Sequence, residues 1–385
     1  METGRHGTGV TSVSPSSLSL SPCLPVSLSP CLPVSLSPHL PSSANLCGIA
    51  AGKYNDAYRK SHRARCAAEE ANVVEYRTFR NTDTPRLVAV WNEAFTQRGA
   101  PRLVNNTHFE RYILAKPIFD PQGLTIALSN GVVVGWAHAA LSLNPFNTHK
   151  VGVTMLFGVR PAHRRHGIGT ELLRRCELYL REKGADVLQA GGHWPNNPFY
   201  MGLYGGCDSP GLLRSDTMAE PFLLKHGYRV DQKIHVLQKK LDQPLRMFDP
   251  RFVPMRGQYE LQFGSPRRLL SGWHELVHGW VDPLQFVLND KQTGGWVART
   301  LVWEMDAFSL TWQRPTVGIF DFEVNAPYRR SGVGRYFLSL IMKYIQEQFF
   351  TLVELQLEET NEYGLNFLRS LEFEHVDTGQ VFIKN

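Results

Sequence analysis

No apolar run in the 385 residues approaches the roughly 18 needed to cross a bilayer, so no membrane span is expected. Blocks of five or six like charges are absent as well. The 41 lysines and arginines outnumber the 35 acids, but they are scattered along the chain. That balance suits an anionic ligand better than a nucleic acid, which is not expected as a partner. Six cysteines occur without any C-x-x-C spacing, so neither a zinc ribbon nor a thioredoxin-like site is signalled. Cys23, Cys31 and His39 look like evenly spaced ligands, yet they occupy one place in an octapeptide repeat, so their spacing is copied and no metal is expected. A Walker Gly-Lys-Ser/Thr is missing, and so is the third glycine of a dinucleotide-binding fingerprint.

What is present falls into three parts. Residues 1–70 carry the Ser/Pro repeat (SLSPCLPV from Ser19 and again from Ser27, SLSPHLPS from Ser35) and are expected to be a disordered tail. They lack the uninterrupted apolar core of a secretory signal, and a reduced, cytoplasmic protein is expected. Residues 71–241 then alternate strand and helix patterns: VVEYRTF, an amphipathic helix from Asp83-Thr84-Pro85, and a second helix over 107–114. Two strands meet at Asn130-Gly131, a strong hairpin signal, and VTMLFGV, a helix to about Lys183, ADVLQAGG and a closing strand over 233–239 follow. After a linker at 242–254, residues 255–385 repeat this order with a shortened front end, and QVFIK closes. Matching element order predicts two α+β halves from an internal duplication.

Each half contains one stretch of the same design: PAHRRHGIGTEL from Pro161 and APYRRSGVGRYF from Ala326. A strand precedes it and a helix follows. The first helical turn leaves N–H groups without partners and adds partial positive charge. Glycine lets an anion approach those groups, and paired arginines add charge-assisted donors. The predicted ligand is a diphosphate.

These stretches resemble the acyl-CoA-binding motif R/Q-x-x-G-x-G/A of the GNAT acetyltransferase superfamily. The resemblance covers most of residues 73–385. It implies two GNAT domains, each a mixed, largely antiparallel sheet with splayed central strands flanked by helices. It also implies acetyl-CoA as co-substrate and a small-molecule or peptide amine as acceptor. The diphosphate is expected on Arg164, Arg165, His166, Gly167, Ile168, Gly169 and Thr170, and in the second half on Arg329, Arg330, Ser331, Gly332, Val333, Gly334 and Arg335. The N–H groups of Val159 and Val324 are expected to hold the thioester carbonyl, and Asn361 falls at the asparagine of the family's closing motif. The amine attacks directly, without an enzyme nucleophile, and Cys176 is expected to be packing.

The tyrosine that protonates the departing thiolate in many members is replaced by Leu223 in the first half and Leu368 in the second. Tyr204 and Tyr200, in the loop HWPNNPFYMGLYGGCDSPG, are substitute acids, and Cys207 is a weaker one. Glu323, on the strand before the second glycine turn and two residues beyond Asp321, is a candidate base; His138 is the candidate in the first half. The longer loop leans the expected catalysis toward the first half. A non-catalytic acyl-CoA-binding or scaffolding protein is the alternative.

Overall fold

The computed structural model describes residues 73–245, 249–266 and 271–385. The repeat tail and Cys23, Cys31, Cys47 and Cys66 lie outside them. The first half runs β1 (Val74–Thr78), α1 (Thr84–Ala94), β2 (Leu124–Ser129), β3 (Val132–Leu141), β4 (Val151–Val159), α2 (Ile168–Glu182), β5 (Val187–Ala190), β6 (Leu212–Leu213), α3 (Ala219–Lys225) and β7 (Arg229–Lys240). Between α1 and β2, a turn of α-helix at Thr107–Phe109 continues in π form over Glu110–Leu114. The second half runs α4 (Phe252–Gln258), β8 (Tyr259–Gly264), α5 (Gly272–His278), β9 (Leu284–Asp290), β10 (Trp296–Glu304), α6 (Asp306–Trp312), β11 (Thr316–Val324), α7 (Val333–Glu347), β12 (Leu352–Glu358), α8 (Glu362–Arg369) and β13 (Glu374–Lys384).

Local chemistry explains the elements. The β2–β3 hairpin turns at Asn130 and Gly131, both at positive φ as a two-residue turn between twisted strands requires. Helix α2 buries Leu172, Leu173, Cys176 and Leu180 on one face, and α7 does the same with Phe337, Leu338, Ile341 and Ile345. Burial pushes the Cys176 thiol up to about 12, consistent with a packing role. Helix α4 starts inside the stretch expected to be linker, and α6 was not foreseen.

The strands form one sheet, in the order β1-β2-β3-β4-β5-β13-β7-β12-β11-β10-β9-β8, with β6 on β13. Among the described residues only β4–β5 and β11–β12 pair in parallel. The α+β class and the mixed, largely antiparallel sheet are as expected, but the closing strands are exchanged. β13, the last strand of the second half, pairs with β5 of the first through Phe382↔Ala190, Ile383↔Gln189 and Lys384↔Leu188. β7, expected to close the first half, pairs with β12 of the second from Leu352↔Lys240 to Glu358↔Ile234. β7 and β13 pair with each other at the centre. Phe382 accordingly sits fully buried in the first half's core. Among the described residues no helix is long and apolar enough to cross a membrane.

Candidate active site

At the first glycine turn the chain leaves β4, makes a short 3-10 turn at Pro161–His163 and enters α2 with Gly167 as N-cap at φ +81. Arg164 is spent on the backbone: its Nε donates to Val159 O (3.0 Å) and its Nη2 to Ala94 O (2.9 Å). Those bonds brace the turn against β4 and α1. Arg165 stands at φ +68, and among the described residues no backbone carbonyl accepts from the N–H groups of Arg165, His166 or Gly167. A Cβ on Gly167 would meet nothing within 4 Å. The turn faces a cavity of about 440 Å3 shared by the end of β4 (Phe157, Gly158, Val159) and helix α3 (Phe222, Lys225, His226). Gly169 and Thr170 line it too. This is an open anion cradle.

The second turn has the same backbone. Gly332 is the N-cap of α7 at φ +91, Arg330 stands at φ +63, and Arg329 Nε donates to Val324 O at 2.8 Å. Its surroundings differ. The Arg251 guanidinium lies over Gly332, where a Cβ would approach Nη1 to 3.2 Å. Ser331 Oγ accepts from Val333 N at 3.4 Å. Arg330 stacks its cation on Tyr363. Asn361 caps α8 by accepting from Gly364 N at 3.0 Å.

Beyond the glycine turns the halves diverge. β4 and β5 pair from Val151↔Val187 to Thr154↔Ala190 and then part. The loop 191–211 follows β5, and its Phe199, Tyr200, Met201, Leu203 and Tyr204 are all buried in the first half's core. Tyr200 lies near-parallel to both Trp91 and Trp136, the three ring centroids 6.3–6.4 Å apart. His138, fully buried, shares a 3.1 Å hydrogen bond between Nδ1 and Tyr200 OH, while its Nε2 has no partner; burial pulls its pKa down to about 3. The Tyr204 hydroxyl accepts from Leu213 N, and burial raises its pKa. Both candidates are thus neutral, packed groups rather than groups facing an open pocket.

β11 and β12 pair from Thr316↔Leu352 to Ile319↔Leu355 and part in the same way, but there the gap is open. A cavity of about 370 Å3 lies between residues 319–322 and 355–358, with Asn361 in its lining. A bulge in β11 shifts the register between Arg299 and Leu301, and Asp321 takes φ +51 within it. The bulge separates two acids that strict alternation would put on one face. Asp321 faces the cavity, its Oδ2 2.5 Å from His274 Nε2. Glu323 instead pairs with Arg299 at 2.8 Å on the neighbouring strand.

The loop whose aromatic side chains join the first half's core also walls this second cavity, with His193, Trp194 and Asp208. Several ties hold it there. Glu354 of β12 accepts from Cys207 N (2.7 Å) and from Gln238 Nε2 (2.5 Å), and Gly206 admits it because any Cβ would overlap Glu354 Oε1. Trp273 of α5 donates to Pro195 O (2.7 Å). Buried Lys116 donates to Pro198 O and Val277 O, and desolvation lowers its pKa to about 7. Sequence reasoning placed the loop beside a pocket at the end of β5, did not foresee that it lines the second half's cavity, and missed His274 and His278. Their i, i+4 spacing on one helix face was the available signal. Among the described residues no group of three or more His, Cys, Asp or Glu is placed to hold a metal.

Residues 85–205 match the family model described as Acetyltransferase (GNAT) family. The whole sheet also finds counterparts among solved structures. The fold is that of the GNAT acetyltransferases. A tandem GNAT protein from the clavulanic acid biosynthesis pathway superposes with a TM-score of 0.57 at 16% identity, covering 81% of this chain and 98% of that one. A GCN5-related N-acetyltransferase from Sphaerobacter thermophilus gives 0.55 at 16% identity, covering 81% and 95%. A fungal multi-domain GH3 β-N-acetylglucosaminidase, whose GCN5-related region is described as a glucosamine N-acetyltransferase, gives 0.62 at 19% identity; the match covers 81% of this chain and 38% of the fungal one. No curated protein sequence matches the chain. The family-model match holds the first glycine turn and most of the loop, and the second half carries the GNAT fold without it.

Proposed function

We propose that the protein is an N-acetyltransferase that moves an acetyl group from acetyl-CoA to a primary amine by direct attack, on a tandem GNAT architecture similar to that of mycothiol synthase. The observation that carries this reading is the pair of glycine turns, each with its glycine N-cap at positive φ after a strand that parts from its parallel neighbour. The CoA diphosphate lies on the N–H groups of residues 165–170 and 330–335, where free donors and the helix dipole favour negative charge. Arg165, Lys225 and His226 add positive or hydrogen-bonding groups around the first turn. Arg329 is committed to Val324 O, so Arg330 and Arg251 supply the charge at the second. The pantetheine arm follows each gap between parting strands. Val159 or Val324 N–H then donates to the thioester carbonyl, and more strongly as that oxygen becomes an oxyanion.

Calorimetric titration of acetyl-CoA into a chain starting at Ala71 tests this reading, with two equivalents expected. Failure to bind any would remove it. The non-catalytic reading is favoured by one observation: Leu223 and Leu368, at the positions of the expected acid, are both buried and neither can donate a proton. Release of CoA thiol with a panel of amines separates the two readings.

A further inference from the structure

The first half's loop has two faces, and only one belongs to the first half. The other completes the open cavity of the second. Among the residues lining that cavity, Asp208, Asp321 and Glu358 are acidic, Trp194, Phe320 and Phe322 present aromatic surface, and no lysine or arginine takes part. His193 is the titratable base among them. Its Nδ1 lies 2.8 Å from Ser209 O, and because a carbonyl only accepts, Nδ1 carries a proton. Nε2 points instead toward Glu358, 3.6 Å from its Oε1. His274 and His278 stand behind Trp194, their rings 5.1 and 5.2 Å from it, and hold the acids in place. His274 meets Asp321, and His278 Nε2 lies 3.6 Å from Asp208.

We propose that this cavity is the acceptor site, built by both halves, in which His193 takes the proton from a cationic amine held by Asp208, Asp321 and Glu358. The inference rests on the acetyltransferase reading. The ammonium gives one proton to His193 Nε2, and the freed lone pair forms the C–N bond to the thioester carbon. The C–S electron pair leaves on sulfur, and the second proton lost by nitrogen passes to that thiolate. The products are the amide, CoA thiol and one proton that His193 releases to solvent. The acids also choose the substrate: an amine with a second positive charge gains from them, and an amine bearing a carboxylate is repelled. Glu358 from β12 and Asp208 from the loop, outweighing burial, raise the His193 pKa above its usual value. Asp321, across the cavity, adds negative charge. The base is therefore freed at a higher pH than an ordinary imidazole.

The test is turnover of acetyl-CoA by the full chain with 1,4-diaminobutane, butylamine and 4-aminobutyrate, across pH. The expected order of kcat/KM is diamine, then monoamine, then amino acid, with activity rising as pH passes the raised His193 pKa. His193→Gln should lower kcat/KM by about 10²–10⁴-fold and remove that rising limb. Acetyl-CoA binding by calorimetry should stay at wild-type affinity and so report an intact fold. Glu358→Gln, which keeps the base but removes its nearest acid, should move the limb to lower pH. Preference for 4-aminobutyrate, wild-type kcat/KM in His193→Gln, or an unmoved limb in Glu358→Gln would each overturn the inference while leaving the acetyltransferase reading intact. No turnover with any amine, despite acetyl-CoA binding, would overturn both.

Discussion

The two halves solve opposite parts of one problem. The first keeps its glycine turn open to a large cavity, and it buries the aromatic side chains of its own loop in its core. The second lays Arg251 across its turn, yet leaves the gap between β11 and β12 empty and lined with titratable groups. On the proposed reading, both halves keep the cofactor cradle while the acceptor end is open in one. Retention of a binding motif does not imply retention of the reaction.

The comparison breaks most completely if the halves are independent, and the exchanged strands say that they are not. Deleting Glu374–Lys384 should abolish the cooperative fold of the first half as well as the second, since β5 and β7 then lose the strand between them. Circular dichroism of the truncated chain, and of residues 73–245 alone, checks this; a native-like melt from residues 73–245 alone would contradict the exchange. Next in size is the paired test at the turns. Gly167→Glu and Gly332→Glu each place a carboxylate and a strained φ where a diphosphate should rest, so each should remove one equivalent of acetyl-CoA, weakening it by about 100-fold or more. Only Gly332→Glu is expected to abolish turnover. Loss of turnover in Gly167→Glu instead would return catalysis to the first half.

A smaller effect is expected from Lys116→Met, at the tie between loop and α5. The folded chain holds this amine at about 7, against the 10.5 usual for a lysine in water. Between those values the unfolded chain binds the proton and the folded one does not, so wild-type stability should rise with pH across that window. The melting temperature of the variant should lose this slope and exceed that of wild type at pH 7. Smallest is Arg251→Ala, where one exposed cation is lost from the second turn. Calorimetry should show about a threefold to tenfold weaker second equivalent and an unchanged first.

Much of this arrangement is legible in the sequence because it is local. Alternation and helical spacing locate β2, β3, β4, α2 and α7, and the Asn130-Gly131 turn and both glycine stretches announce themselves by residue type. The exchange of β7 and β13 is invisible to such reasoning, since either strand's pattern fits either neighbour and only long-range pairing decides between them. The bulge at Asp321 likewise breaks the alternation that made Glu323 and Asp321 look equivalent. Within the loop, Tyr200 and Tyr204 face one half and His193 and Asp208 the other, a division that no local pattern marks. Burial, which converts His138 from a plausible base into a neutral core residue, depends on Phe119 and on Phe199 and Tyr200 arriving from two separate segments.

The exchanged strands also set an order on synthesis. While a ribosome is still making the second half, β5 and β7 of the first present unpaired edges, with the place between them vacant until residues 374–384 emerge. Edges of that kind invite pairing with a neighbouring chain. The first half therefore waits in a vulnerable state for the last strand to be made, and a cell producing this protein quickly would accumulate that state in proportion to the rate of initiation.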